Sequence, residues 1–152
     1  MRNKKIVWSF LSIAMLMSMC VFPTSANNHT DTYYGFSLPH VPYFSVYEDG
    51  RLKTDASGSY VYSNPTNPTE GVRFAIFGHS KDYFNNESEL RNCTKSTYAI
   101  VYNGQKRRIR QYVYEWNYTY AFLGGAGNDD FGFANIQGVW SPDSVGSDPY
   151  AN

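Results

Sequence analysis

Lys106–Leu123 reads KRRIRQYVYEWNYTYAFL, and its pattern indicates the fold class. The even-numbered positions carry three cations and then six consecutive aromatic residues: Lys106, Arg108, Arg110, Tyr112, Tyr114, Trp116, Tyr118, Tyr120 and Phe122. Side chains of a β-strand alternate between two faces, whereas a helix would scatter these aromatic residues around its circumference. The pattern therefore predicts a β-strand. Because it would exceed the usual strand length, we expect a bend or turn near Glu115-Trp116-Asn117, which can flip the parity of the second half.

The aromatic positions allow two interpretations. In the first, they belong to a core strand whose aromatic side packs beneath a second sheet. In the second, Tyr112, Tyr114 and Trp116 form a surface platform for a sugar, a lipid headgroup or a partner protein. Six aromatic residues in a row favour burial, although buried Tyr and Trp need hydrogen-bond partners for their hydroxyl and indole groups. We prefer the core interpretation and keep the platform as the alternative.

The cations Lys106, Arg108 and Arg110 would share one face of that strand. One interpretation is a charged hairpin edge that discourages pairing with other chains. The other is attraction to an anionic bacterial surface, such as acidic lipid or teichoic acid. These three residues are therefore the candidate anion-binding site, with a cell-envelope component or an anionic membrane surface as the partner.

Residues 1–26 have the pattern of a signal peptide. Three cations in the first five residues precede an apolar run over 6–22, and Pro23–Ala26 supplies small residues for cleavage. We predict cleavage after Ala26 and a secreted, extracellular protein. The apolar run is short for a retained membrane anchor. A lipoprotein acylated at Cys20 would need a small residue where Met19 stands.

Residues 27–152 then form a single domain of 126 residues, long enough to bury a core of its own. Three of the 13 Lys and Arg residues lie in the signal peptide, so this domain has 10 cations against 13 acidic residues, a net charge of −3. Without a positive bias, nucleic acid is not an expected partner. Many Tyr and Gly residues and few strong helix formers favour strands joined by turns.

Short alternating runs between turn residues predict about seven to nine strands and an all-β fold, an antiparallel β-sandwich or small barrel. The predicted strands besides 106–123 are Tyr33–Phe36, Tyr43–Tyr47, Arg51–Thr54, Ser59–Tyr62, Val72–Phe77, Thr97–Tyr102 and Phe131–Trp140.

Two hairpins are predicted from turn residues. Glu48-Asp49-Gly50 is typical of a turn after which Arg51–Thr54 returns along the preceding strand. Asn103-Gly104 predicts a type I′ turn that pairs Thr97–Tyr102 with the start of Gln105–Tyr114.

Three segments read as connections or loose chain. Gly78–Ser96 is expected to be a long connection with a helical turn around Ser88–Arg91. The glycine-rich Gly124–Asp130 is expected to be a flexible turn, and the chain from about residue 141 a loose C-terminal tail.

No motif points to catalysis. His29, His40 and His79 are dispersed and lack metal-site spacing, and there is no nucleophile elbow, P-loop or dinucleotide motif. No pair of carboxylates can be argued from spacing. We therefore expect a protein that is not an enzyme and has no metal, no catalytic residue and no cofactor.

Two weaker signals keep alternatives open. Asp129-Asp130, with Asp143 and Asp148 downstream, is the best set of oxygen ligands for Ca²⁺, although acids in solvated turns are commoner. Cys93 is the only cysteine outside the signal peptide, so the domain has no internal disulfide. A small, partly buried filler is the simpler interpretation of Cys93, since a catalytic thiol needs a neighbouring His.

Four features carry a resemblance to a known family: Arg51-x-x-Thr54, the Pro/Asn loop leading to Glu70-Gly71, the Val72–Phe77 strand and the closing Gly138–Asp143 segment. In order and style, residues 33–145 resemble a family of small secreted proteins of Gram-positive bacteria without an assigned function. The chain is more distantly similar to lactococcin-type bacteriocins, exported Tyr/Trp-rich all-β proteins that act at the envelope of other bacteria. It departs from them in its greater length and in the Gly78–Ser96 connection. Neither family brings a catalytic residue.

The functional prediction is a secreted, non-enzymatic β-domain that acts at the bacterial cell surface, of which a bacteriocin-like effector is one form. The alternative is a secreted carbohydrate- or partner-binding module that uses Tyr112, Tyr114 and Trp116. A purely structural exported protein is the third interpretation.

Overall fold

A computed structural model describes residues 28–37, 44–47, 49–64, 71–127 and 135–151. Within these ranges the protein has ten β-strands, a single 3₁₀ turn at Glu87–Glu89 and no α-helix, so the predicted all-β fold is confirmed. The strands are β1 Thr32–Ser37, β2 Ser45–Val46, β3 Arg51–Leu52, β4 Ser59–Ser63, β5 Val72–His79, β6 Arg91–Asn92, β7 Ala99–Val101, β8 Lys106–Ile109, β9 Tyr120–Gly127 and β10 Asn135–Ser141. None of the described segments forms a helix that could cross a membrane.

The strands form two antiparallel sheets. The first has the order β1-β10-β4-β8. The second is built on β5 and β9, which pair over eight residues each. Two short strands, β2 and β3, lie along the other side of β9, and β6 and β7 lie along the other side of β5. On each side of the β5–β9 pair, two short strands therefore take the place of one long strand.

A shared core joins the two sheets into a sandwich. Trp140 and Tyr34 of the first sheet and Phe74, Ile76 and Leu123 of the second are fully buried in one cluster. The Tyr34 and Phe74 rings meet edge to face with centroids 5.9 Å apart. Burial alternates along β4, whereas β5 is covered on most of both faces, and the two strands lie where the runs at 59–62 and 72–77 predicted them.

The prediction of one long strand over 106–123 is wrong. β8 pairs with β4 in the first sheet, and β9 pairs with β5 in the second. Between them the chain makes a helical turn, with Trp116 N donating to Tyr112 O at 2.9 Å, and Asn117 ends it at φ 60°. The expected turn is therefore present and breaks the parity of the aromatic positions, and it also transfers the chain from the first sheet to the second.

The two predicted hairpins are also wrong. Gln105 N donates to Tyr102 O across Asn103-Gly104, but only Gly104 of this pair has a positive φ, 73°, as in a type II turn. β7 then pairs with β5 and β8 with β4, so the turn connects different sheets. At the other site, β2 and β3 both run antiparallel to β9, so Arg51 continues along the same neighbour instead of returning.

Gly124–Gly127 is not a flexible turn but the second half of the central strand β9. A Cβ on Gly124 would lie 2.5 Å from the Phe77 ring, so the glycine makes room for an aromatic side chain. Residues 128–134 lie outside the described ranges, as do 1–27, 38–43, 48, 65–70 and 152. The predictions of the signal peptide and of calcium ligands at Asp129-Asp130 therefore concern undescribed residues.

The chain after residue 141 is hydrogen-bonded to the domain, so the prediction of a loose C-terminal tail is wrong. Arg108 N donates to Pro149 O at 3.0 Å, and Ala151 N donates to Arg108 O at 2.9 Å. The tail thus runs parallel to β8 and covers the edge of the first sheet. The Gly78–Ser96 connection is likewise ordered, with its 3₁₀ turn capped by the Asn86 side chain, which accepts from Ser88 N.

Candidate functional site

Two segments far apart in sequence meet in a buried polar cluster, which we define as Arg51, Lys53, Thr54, Asp55 and Asp143. The Arg51 guanidinium donates to Trp140 O at 3.0 Å and to the Asn28 side-chain oxygen at 2.7 Å. Thr54 and Asp143 are hydrogen-bonded side chain to side chain at 2.6 Å. Two of the segments that carry the family resemblance, 51–54 and 138–143, are therefore in contact.

Lys53 and Asp143 form the centre of this cluster. Lys53 Nζ lies 2.5 Å from Asp143 Oδ1, and neither side chain is exposed to solvent. The ammonium also donates to Ser57 O at 2.8 Å and lies 3.2 Å from Asp55 Oδ1. Removing two charges from water is costly, so such a pair persists only when its remaining donors and acceptors are satisfied.

The second oxygen of Asp143 has its own donors. Oδ2 accepts from Asn28 N at 2.9 Å, from Thr54 N at 3.2 Å and from the Thr54 hydroxyl. Both carboxylate oxygens are thus occupied by protein donors. The arrangement ties the chain at residue 28, the segment after β3 and the segment after β10 to one carboxylate.

Asp55 lies at the border of the cluster and is partly exposed. Burial raises the pKa of its carboxyl, but hydrogen bonds from Ser57 and the nearby Lys53 ammonium outweigh burial, so the pKa is lowered overall. Burial lowers the pKa of the Arg51 guanidinium, against the opposing effect of Asp31 and Asp143. The lowered pKa of Asp55 keeps its carboxyl ionised at neutral pH.

The suggested calcium ligands do not come together in the described part of the chain. Asp143 is committed to Lys53 and Thr54, and no group of three metal-ligating side chains is found among the residues that the structure describes. The main-chain oxygen of Asp148 accepts from Arg108 Nε at 2.6 Å. Asp143 is fully buried, so the favoured interpretation of a solvated turn acid is wrong for this residue.

The three predicted anion-binding cations are not equivalent. Lys106 and Arg110 are exposed, whereas Arg108 is half-buried beneath the tail. The Tyr150 ring lies 4.4 Å from the guanidinium carbons of both Arg108 and Arg110. Lys106 lines a cleft that also contains Asp31 and Asp148. Arg108 therefore contacts the tail, and Lys106 lies next to negatively charged residues.

Two other clefts, which share Ala151 and which we call the tail clefts, are more basic. The larger one, of about 410 Å³, is lined by Ile100, Tyr102, Gln105, Arg107, Pro149, Tyr150 and Ala151. The smaller one, of about 130 Å³, includes Lys95, Tyr98 and Arg110. No carboxylate side chain is among the described residues that line either cleft. The even-position pattern did not identify Arg107 or Lys95 as candidate binding residues.

The predicted aromatic platform lies on the turn between β8 and β9. Tyr112 and Trp116, four residues apart in that helical turn, stack with centroids 5.4 Å apart and ring planes at 22°. Trp116 and Tyr114 are 46% and 48% exposed, so the preferred core interpretation is wrong for both. The Arg91 guanidinium lies 5.9 Å from the Trp116 ring centroid. Tyr112 and Trp116 are thus together, while Tyr114 is exposed beside them.

Cys93 is buried and free, in agreement with the simpler interpretation of a small filler. Its thiol contacts the main-chain oxygen of Arg91 at 3.2 Å. Burial raises the pKa of the Cys93 thiol from 9.0 to about 12. A thiol with this pKa is protonated at neutral pH and is a poor nucleophile.

Comparisons with known proteins give one finding. A family model described as "Protein of unknown function (DUF2712)" matches residues 22–144. No curated protein and no solved structure matches the chain. The matched range includes both segments that build the buried polar cluster, the aromatic turn and all ten described strands. The chain belongs to the DUF2712 family.

Proposed function

We propose that this protein is a secreted, non-enzymatic binding domain that attaches to an anionic component of the bacterial cell surface. The carrying observation is the pair of tail clefts, where Arg107, Arg110 and Lys95 are gathered without a lining carboxylate. None of the three is in an ion pair with another described residue. Their charge is therefore available to a ligand.

Aromatic rings next to these cations suit the same ligand class. Tyr98, Tyr102 and Tyr150 line the tail clefts and offer flat apolar surface beside the positive charges. An acidic lipid headgroup and an anionic wall polymer both combine negative charge with apolar or sugar surface. The domain's net charge of −3 gives no general attraction to such a surface, so the attraction must be local.

A charge-matched pair of variants tests the site. Replacing Arg107 and Arg110 by Gln removes two cations from the tail clefts, and each contributes about 1 kcal/mol near an anionic membrane. We expect binding to anionic vesicles or to cell walls to weaken roughly thirtyfold, the factor that corresponds to about 2 kcal/mol.

The control replaces Lys81 and Lys106 by Gln and removes the same charge from outside the tail clefts, because Lys106 lies in a different cleft beside Asp31 and Asp148. Binding by this control should stay close to that of the unsubstituted protein. Equal weakening by both variants would show that only total charge matters and would contradict the proposed site. Circular dichroism verifies that the β-fold of each variant is intact, and unchanged proteolysis of the tail verifies that the clefts persist, because Arg110 also contacts the Tyr150 ring.

A bacteriocin-like effector is one form of this function, and the distant resemblance to exported bacteriocins is its support. Such an effector must harm the cells it binds. The purified protein should then permeabilise or inhibit susceptible bacteria, and the Arg107/Arg110 variant should lose that effect together with binding. Binding without any inhibition would restrict the proposal to attachment.

Export is part of the proposal and has its own measurement. The protein recovered from culture medium should begin at Asn27, because cleavage is expected after Ala26. A lipid-modified chain that begins at Cys20 would contradict this part, and so would a chain that keeps residues 1–26.

The second candidate function is carbohydrate binding, favoured by the exposed stack of Tyr112 and Trp116. Flat aromatic surface is suited to the apolar face of a sugar ring, and Arg91 beside Trp116 adds hydrogen-bond donors. Trp116→Ala should then abolish binding to a wall polysaccharide with little dependence on salt. The Arg107/Arg110 variant would bind normally in that case.

A further inference from the structure

The buried pair of Lys53 and Asp143 is not used by either proposed binding surface. An amine and a carboxyl group lie in direct contact, 90 residues apart in sequence and with both side chains inaccessible to solvent. A third group, the Asp55 carboxylate, reaches the same amine at 3.2 Å. Together they supply the amine, the carboxyl group and the proton acceptor that amide formation needs.

We propose that Lys53 and Asp143 become joined by an intramolecular amide bond between Nζ and Cγ, with Asp55 as the proton-transfer residue. The reaction is a single self-modification and involves no turnover. It is independent of the binding function proposed above.

The bond changes follow from the contacts. Transfer of one proton from the Lys53 ammonium to Asp143 Oδ1 gives a neutral amine and a neutral carboxylic acid. The amine Nζ then attacks Cγ, the Nζ–Cγ bond forms, and the Cγ–Oδ1 bond breaks. Oδ1 leaves with two protons as water, so one amide and one water replace one ammonium and one carboxylate. No oxidant, metal or cofactor is required.

The oxygen that stays on Cγ has donors already directed at it. During attack, negative charge develops on Oδ2, which accepts from Asn28 N, Thr54 N and the Thr54 hydroxyl. Preorganised donors of this kind stabilise a tetrahedral intermediate. In the product the same three groups would hold the amide oxygen. Thr54 and the main chain at residue 28 therefore act as an oxyanion site.

Asp55 is placed to move the remaining proton. Its Oδ1 lies 3.2 Å from Lys53 Nζ, and Ser57 N holds the same oxygen at 2.8 Å. As a carboxylate it can take a proton from the attacking nitrogen and return it to the departing Oδ1. Ser57 O, which accepts from Nζ at 2.8 Å, orients the amine.

The buried arrangement favours the reaction in three ways. The two reacting groups are held in contact, which replaces a bimolecular encounter by a unimolecular step. Exclusion of water protects the product from hydrolysis. Amide formation also removes two buried charges, whose desolvation is unfavourable in the ion pair. A covalent link would then connect the segment after β3 to the segment after β10.

Mass spectrometry of the protein from culture medium tests the proposal directly. The intact mass should be lower than that of the unmodified chain by one water molecule. After proteolysis, a branched fragment should contain Lys53 and Asp143 joined through their side chains. Dehydration at Asp49-Gly50 gives the same intact mass, so the position of the missing water must be assigned from the fragments.

Two variants make the result specific. Lys53→Arg keeps the cation but lacks the amine nucleophile, and Asp55→Asn keeps both partners but lacks the proton-transfer residue. Both variants should retain the full mass and the β-fold. The unmodified mass in the folded original protein, or water loss mapped to Asp49, would overturn the proposal. Persistence of the branched fragment in Asp55→Asn would overturn the role of Asp55.

Discussion

Removal of the Asp143 carboxylate should destabilise the domain strongly even without a covalent link. We consider Asp143→Ala in a chain that already carries Asp55→Asn, in which the amide is not expected to form. Lys53 then loses its remaining carboxylate partner, and Asn28 N and Thr54 N lose their acceptor. Breaking a buried ion pair in this way costs about 3–5 kcal/mol.

Urea denaturation followed by tryptophan fluorescence measures this free energy of unfolding. The urea dependence of the free energy should stay the same, because the folded structure and its exposed surface on unfolding are unchanged. Asp82→Ala in the same background is the control, since this exposed carboxylate should change the free energy by less than about 0.5 kcal/mol. A loss below about 1 kcal/mol for Asp143→Ala would refute the reasoning. With Asp55 present, loss of the cross-link should add roughly 4–5 kcal/mol, the loop-closure term for about 90 residues.

Three further predictions concern other parts of the molecule. Gly138→Ala should destabilise the domain by roughly 1–3 kcal/mol in urea denaturation, because its Cβ would collide with the Tyr62 main-chain oxygen; Gly35→Ala meets only the Tyr33 side chain and should be nearly neutral. Tyr150→Ala should speed proteolytic cleavage in the tail, since the ring that Arg108 and Arg110 flank is lost; unchanged cleavage would contradict the tail contact. Alkylation of Cys93 should be slow in the folded protein at pH 8 and fast in urea. Because the pKa of this thiol in the folded protein, about 12, exceeds the ordinary 9.0, the thiol should lower the free energy of unfolding as pH rises from 9 to 12.

The fold class was predictable where single strands could be recognised alone. Burial alternates along the run at 59–62, whereas the apolar run at 72–77 is covered on most of both faces, and both runs form strands. Such local patterns depend on nearest neighbours along the chain. They therefore identify strands but do not identify the partners of those strands.

Strand pairing was not predictable for the same reason. The even-position pattern over 106–123 continues through a helical turn, so the six aromatic residues that look like one face are divided between the turn segment and β9 of the second sheet. Asn103-Gly104 makes a tight turn as its residue types favour. The flanking strands β7 and β8 nevertheless pair with β5 and β4 and not with each other. Glycines of β9 look like a turn because the Phe77 ring that fills their space is distant in sequence.

The candidate sites show the same limit. Exposure of Trp116 depends on the turn that interrupts the aromatic run, and the half-burial of Arg108 depends on a tail 40 residues away. Lys53 carries no local signal of burial, since its partner Asp143 is 90 residues away. Yet the segments that contain them, 51–54 and 138–143, were those that carried the family resemblance. A shared role in one cluster would explain why both segments belong to the resemblance.

Binding of the unsubstituted protein to vesicles, measured as a function of salt, tests the central claim most directly. The proposed function predicts binding to vesicles of an anionic phospholipid, little binding to zwitterionic vesicles, and steep loss of binding as salt rises. Screening acts over about 10 Å at 0.1 M salt and about 3 Å at 1 M, so attraction by Arg107 and Arg110 should nearly vanish at the higher concentration. Equal binding to both kinds of vesicle, or binding that is unchanged at 1 M salt, would contradict an electrostatic surface-binding function.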